Sequence, residues 1–186
     1  MNIILASGSP RRREILSAAG IEFTIKTADI EETTDKILPP DVVRDLAIQK
    51  AAAVNCADGD AVIAADTVVS VDGKILGKPK DEEDAKNMLR MLSGRMHEVY
   101  TGVCVRCGDM SESFSERTEV YFKKLSEKQI ENYVKTGEPM DKAGAYGIQG
   151  KGALLITHIC GDFFNVVGLP VSKLYDLLER SGCISE

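Results

Sequence analysis

The chain opens on a short apolar run, Asn2–Ala6, which predicts a β-strand. The small residues Ser7-Gly8-Ser9-Pro10 follow as a turn. Arg11–Ala19 then predicts a helix, with Ser9 as N-cap, Pro10 at the first helical position and Gly20 as its stop. Ile21–Thr27 predicts a second strand, and the polar stretch Asp29–Leu38 a loop. Between Pro40 and Asn55, apolar residues at 43, 46, 47, 51 and 54 keep to one helix face. Ala61–Val71 is a strand, and Val71-Asp72-Gly73-Lys74 signals a hairpin. Asp81–Leu92 predicts a helix with Gly94 past its end. His97–Arg106 and Ser115–Lys123 predict long strands about a Gly108-Asp109 turn. Ser126-x-x-Gln129 is a capping box opening a helix that stops at Gly137. Ala153–His158 and Phe163–Val167 predict short strands, and Pro170–Arg180 the closing helix before Gly182. Interleaved strands and helices with hairpins among them predict an α/β protein on a mixed sheet.

A length of 186 residues fits a single domain spanning 1–186, with room for two lobes. Lys and Arg number 23 against 29 Asp and Glu, a formal net charge of −6. That acidity argues against a nucleic-acid partner, though it leaves room for a local basic pocket. No apolar run approaches the roughly 20 residues of a membrane span, and the N-terminus lacks a signal-peptide layout. Five scattered cysteines suit a reducing compartment, so a cytoplasmic location is expected. Cys104-x-x-Cys107 falls in a strand pattern, where residues three apart face opposite ways, which speaks against zinc or redox chemistry. The two histidines, His97 and His158, form no recognisable triad.

Five places could carry chemistry. In Ser7-Gly8-Ser9-Pro10-Arg11-Arg12, two arginines occupy a first helical turn, where the helix dipole disfavours positive charge. A bound phosphate would reverse that repulsion; the alternative is a solvated basic patch. Asp66-Thr67 interrupts an apolar strand, and an ionised carboxylate there needs a partner, a metal or backbone donors. Lys50 lies along the apolar stripe of its helix, as a ligand or as a snorkelling lysine, and Lys78 is held between Gly77 and Pro79. Asp141–Gly150 packs three glycines and two alanines into ten residues, allowing close approach of backbone to ligand. Its Gln149 amide matches the edge of a uracil or thymine ring, although an ordinary tight loop reads equally from spacing. Glu31-Glu32 could join Asp66 in an all-oxygen Mg²⁺ or Mn²⁺ site, but spacing alone favours two solvated acids.

Taken in order, Ala6-Ser7-Gly8-Ser9-Pro10-Arg11-Arg12, Ala65-Asp66-Thr67, Gly77-Lys78-Pro79, Leu92-Ser93-Gly94-Arg95, Thr101-Gly102-Val103, Gly137-Glu138-Pro139, Asp141–Gly150 and Val167-Gly168-Leu169-Pro170 closely resemble the Maf family over nearly the whole chain. The resemblance implies a fold similar to the inosine triphosphatases, a long mixed sheet flanked by helices in two lobes around a cleft. It implies a nucleoside triphosphate pyrophosphatase that yields a monophosphate and pyrophosphate and requires a divalent metal, Mg²⁺ or Mn²⁺. Asp66 matches the proton acceptor. Ser7, Arg12, Glu32, Lys50 and Lys78 match positions lining the phosphate and metal site, with Glu32 and Asp66 the metal pair. Arg11, Thr67 and Gln149 match positions tied to base choice, and Tyr146–Gly150 looks like the branch acting on dTTP and UTP. The family also allows a homodimer. The rival expectation is a nucleotide-binding regulator of cell division acting through a protein partner, and a third is a purine house-cleaning enzyme.

Overall fold

A computed structural model describes residues 1–184. Seven strands are present among them: β1 (Ile3–Leu5), β2 (Thr24–Ile25), β3 (Ala61–Val71), β4 (Lys74–Leu76), β5 (Met96–Cys107), β6 (Met110–Phe122) and β7 (Ile156–Cys160). The helices are α1 (Pro10–Ala18), α2 (Pro39–Ala53), α3 (Glu82–Leu92), α4 (Glu127–Val134), α5 (Phe163–Val167) and α6 (Val171–Arg180). The strands form one sheet in the order β2-β1-β3-β5-β6-β7, with β4 beside β3. β1 pairs parallel with both β2 and β3, whereas β3–β4 and β6–β7 are antiparallel. The sheet is therefore mixed, as predicted.

The chain divides into two compact units that share the long strands. The first comprises Met1–Asp66, Thr101–Glu116 and the chain from Gly168 onward. Its core joins Ile4 and Ala6 of the β1 region, Val62 and Ala64 of β3, Ala47 and Ala51 of α2, and Cys104 of β5. Gly102 decides how closely α2 lies on β5: a Cβ there would stand 2.2 Å from the carbonyl oxygen of Val43. No residue but glycine leaves that space.

The second unit comprises Thr67–Tyr100 and Arg117–Val167. Its core gathers Val69 and Leu76 from the β3–β4 hairpin, Leu89 and Leu92 from α3, Ile130 and Val134 from α4, and Phe122, Tyr146 and Leu155. Local signals set these elements well. Asp81 caps α3, its side chain accepting from Asp84 N at 2.8 Å. Ser126 and Gln129 form the predicted capping box of α4. Asp72 and Gly73 take positive φ of 51° and 75°, the primed turn of a tight hairpin.

Three expectations need correction. The strand predicted over 21–27 shrinks to Thr24–Ile25, because β1 offers it only two pairing residues. The strand predicted over 153–158 begins at Ile156, because Gly150–Leu155 coils into 3₁₀ turns whose first N–H groups bond a carboxylate. The strand predicted over 163–167 is a short helix, α5. There Asp162 Oδ1 accepts from Phe164 N at 2.7 Å, and the Asn165 amide donates to Val99 O at 3.0 Å. Side-chain bonds of this kind offer the backbone an alternative to a strand ladder and override the β-propensity of the phenylalanines and valines.

Candidate active site

The first unit brings together most of the residues singled out in the sequence. β3 is fully buried from Ala61 to Ala65, and Asp66 and Thr67 are its first partly exposed positions. Asp66 Oδ1 lies 2.6 Å from Lys50 Nζ, and the same ammonium lies 2.9 Å from Glu32 Oε2. Lys50 comes from the last turn of α2 and Glu32 from the polar loop before that helix. The loop is held by Gln49, whose amide donates to Thr33 O at 2.8 Å and to Asp45 Oδ2 at 2.8 Å. The Lys50 side chain is only 19% exposed, so its role is not to reach solvent along the core. The apolar stripe of α2 aims its stem inward, and the head ends between two carboxylates. Such a charge-assisted cluster in a partly desolvated site is stronger than a surface ion pair.

Arg12 packs against the same stretch of β3. Its Nε donates to Gly168 O at 2.8 Å, and its Nη1 donates to Ser7 Oγ at 3.0 Å and to Ala65 O at 2.8 Å. Burial lowers the Arg12 pKa from its ordinary value, while the charges of Asp66 and Glu32 oppose that shift. A guanidinium stays cationic throughout. The side chain thus ties the turn after β1 to the middle of β3 and to the Gly168 turn. Ser7 Oγ also accepts from Ser9 N at 3.3 Å, which shapes the turn ahead of α1. Ser9 occupies the N-cap position of α1 but makes no side-chain cap bond. Arg11 is half-buried in the first turn of α1.

The remaining candidates lie in the second unit. Thr67 follows Asp66 directly along β3. Lys78 is exposed, and its neighbour Gly77 accepts at its carbonyl from Gly144 N at 3.0 Å. That bond ties the Lys78 turn to the glycine-rich loop. Gln149 is exposed on that loop with extended backbone, φ −89° and ψ 168°. Sequence reasoning assigned no role to Tyr133, Glu138 or His97, which fix the loop from behind. The motif Gly137-Glu138-Pro139 was the one available signal, and it does not say what the carboxylate touches.

Glu32 and Asp66 are a hard-oxygen donor pair whose charge one ammonium already shares. Among the described residues no group of three or more His, Cys, Asp or Glu converges. A divalent cation at this pair would draw its other ligands from water and from a bound anion, the usual situation of Mg²⁺. The donor set fits such an ion. No helix among the described residues is long and apolar enough to cross a membrane.

A carboxylate pair bridged by a lysine thus lies beside a buried arginine at the middle of a long strand of a mixed α/β sheet. The Maf-like protein family model matches residues 2–181, so the chain belongs to the Maf-like family, and the match runs through both units. The chain is 53% identical over 180 residues to the dTTP/UTP pyrophosphatase of Bacillus cereus (strain AH820), covering 96% of this chain and 94% of that protein. It is equally similar to the dTTP/UTP pyrophosphatase of Bacillus thuringiensis subsp. konkukian (strain 97-27), at 53% and the same coverage. Among solved structures, a HAM1 protein from Coxiella burnetii superposes with a TM-score of 0.56 at 15% identity, covering 97% of this chain and 99% of that one. That likeness concerns the fold alone.

Proposed function

We propose that this protein is a nucleoside triphosphate pyrophosphatase acting on dTTP and UTP. Water adds to a phosphorus of the triphosphate, the bond between the α and β phosphates breaks, and the products are the monophosphate and pyrophosphate. The observation that carries the reading is the Glu32–Lys50–Asp66 cluster, set in a chain more than half identical to dTTP/UTP pyrophosphatases.

In this mechanism Asp66 orients the attacking water and accepts its proton. The Lys50 ammonium, 2.6 Å from Oδ1, fixes the direction in which the carboxylate points. Arg12, Lys50 and Lys78 offset charge that builds on the phosphate oxygens. Ser7 holds Arg12 in place. Arg11, Thr67 and Gln149 meet the nucleoside, and the Gln149 amide pairs with the O4 and N3–H edge of the pyrimidine. Glu32 and Asp66 would hold Mg²⁺ or Mn²⁺, which supplies a Lewis acid for phosphate oxygens when bound. No covalent intermediate is required. A regulator that only binds nucleotide is not favoured, since it has no need of a base held in this way.

The test is pyrophosphate release from dTTP, UTP, dCTP, dGTP and ITP with Mg²⁺ or Mn²⁺, for wild type and Asp66→Asn. Release is expected from dTTP and UTP, with a fall of at least about 10²-fold in the mutant. Asp66→Asn with near-normal turnover would remove the base role, and release from purines alone would overturn the substrate.

A further inference from the structure

Glu138 sits in the turn after α4, and its side chain faces the glycine-rich loop. Its Oε1 accepts from Tyr133 Oη at 2.9 Å and from Gly152 N at 3.0 Å, and its Oε2 accepts from Lys151 N at 3.0 Å. Tyr133 Oη in turn accepts from Gly147 N at 3.1 Å. Both ends of the arc 147–152 are therefore tied to one Tyr–Glu pair. The arc is wound tightly about that pair. A Cβ on Gly150 would stand 2.9 Å from Glu138 Oε2, and one on Gly152 would stand 2.0 Å from Gly147 O and 2.7 Å from Tyr133 Oη. Tyr146, just before the arc, is buried with its hydroxyl 2.7 Å from His97 Nε2. Gln149 stands at the exposed apex.

Burial opposes ionisation of Glu138, but the N–H groups of Gly152 and Lys151 outweigh it and hold the carboxyl below its ordinary range. A charged acceptor with three donors is a firm anchor. Loop tips that only face water do not need one. Pyrimidine discrimination does, because cytosine reverses the donor and acceptor order of thymine. A loosely held amide can turn over and match either edge. Selection then depends on how firmly the arm carrying the amide is placed.

We propose that Glu138, acting with Tyr133, is a positioning residue for base selection: it fixes the arc that presents Gln149. The inference rests on the assignment of Gln149 to the base. Glu138→Gln keeps the shape but replaces an accepting oxygen with a donating NH₂, so at least one of the three donors loses its partner. Tyr133→Phe releases Gly147 N and removes one of the three donors to Glu138, leaving those from Lys151 N and Gly152 N.

The experiment measures kcat and KM for dTTP and dCTP in wild type, Glu138→Gln, Tyr133→Phe, Gln149→Ala and the double variant Glu138→Gln/Gln149→Ala. Thermal melting is followed in each. Glu138→Gln is expected to raise KM for dTTP and to lower the dTTP preference over dCTP by about tenfold each, with kcat changed by less than about twofold. Tyr133→Phe moves both in the same direction by less. In the Gln149→Ala background Glu138→Gln has no further effect on the preference. A folded Glu138→Gln that keeps the preference, or lowers kcat equally for both nucleotides, overturns the proposal. If Glu138→Gln does not fold, Tyr133→Phe decides by the same criteria. Gln149→Ala with unchanged preference removes the base assignment and this proposal with it. A Gln149→Ala effect without one from Glu138 or Tyr133 overturns the proposal alone.

Discussion

At the scale of single residues, Lys50 separates two readings that the sequence left open. A snorkelling lysine serves through its stem, whereas a lysine between Glu32 and Asp66 serves through its charge. Lys50→Met keeps the stem and removes the charge. It is expected to fold normally and to lower kcat for dTTP about 10²-fold, measured by pyrophosphate release. Retention of activity would restore the packing role. His97 supplies a second prediction. It is buried, 1% exposed, and no partner for its Nδ1 exists among the described residues. Burial pushes its pKa down from 6.5 to about 4. The unfolded chain therefore takes up a proton near pH 6.5 that the folded protein refuses until about pH 4. The stability from a neutral His97 is fully present above pH 6.5 and is lost as pH falls toward 4. Between pH 7 and pH 4.5 this amounts to roughly 2–3 kcal/mol. Urea unfolding at both pH values should show that loss in wild type and a smaller one in His97→Gln. Equal losses would mean that other groups govern the acid limb.

At the scale of elements, the close approach of α2 to β5 makes Gly102 the most exposed to change. A methyl at that position meets backbone at 2.2–2.6 Å, so either the helix or the strand must move. Gly102→Ala is expected to cost about 3 kcal/mol or more in denaturant unfolding and to lower activity, since α2 carries Lys50. A neutral Gly102→Ala would show that the helix can shift freely. The elements that were legible share one property: their signals are local. The capping box at Ser126, the Asp72-Gly73 turn and the stripe of α2 each lie within a few residues. Those that were misread depend on distant partners. Residues 150–155 coil because Glu138 takes their N–H groups, and residues 163–167 turn because Asn165 bonds Val99. The candidate site divides in the same way. Asp66 and Arg12 broke a local rule and could be found from it. Glu32 and Lys50 are ordinary in sequence and meet only through the tertiary fold, so the family resemblance, not the spacing, pointed to them.

At the scale of the whole molecule, the protein carries a net charge of −6 and is proposed to bind a polyanion. Long-range electrostatics therefore oppose association, and the positive charges proposed to meet the phosphates, those of Arg12, Lys50 and Lys78, have to overcome them. The paired carboxylates Glu32 and Asp66 add to that repulsion unless a divalent cation stands between them and the phosphates. Nucleotide binding should accordingly depend on the cation and not only turnover. A ligand at a hundredfold its Kd stabilises the native state by about 2.7 kcal/mol, which for a chain of this size raises Tm by roughly 5–10 °C. Calorimetry of the wild type with a non-hydrolysable dTTP analogue should give that rise only with Mg²⁺ or Mn²⁺, and a smaller one in Lys78→Ala. With the cation chelated, the rise should fall below about 2 °C. The same rise in chelator would mean that the basic residues alone hold the triphosphate. Glu32 and Asp66 would then act without an ion, Lys50 would be their sole counter-charge, and the proposed division of labour between metal and lysine would have to be given up.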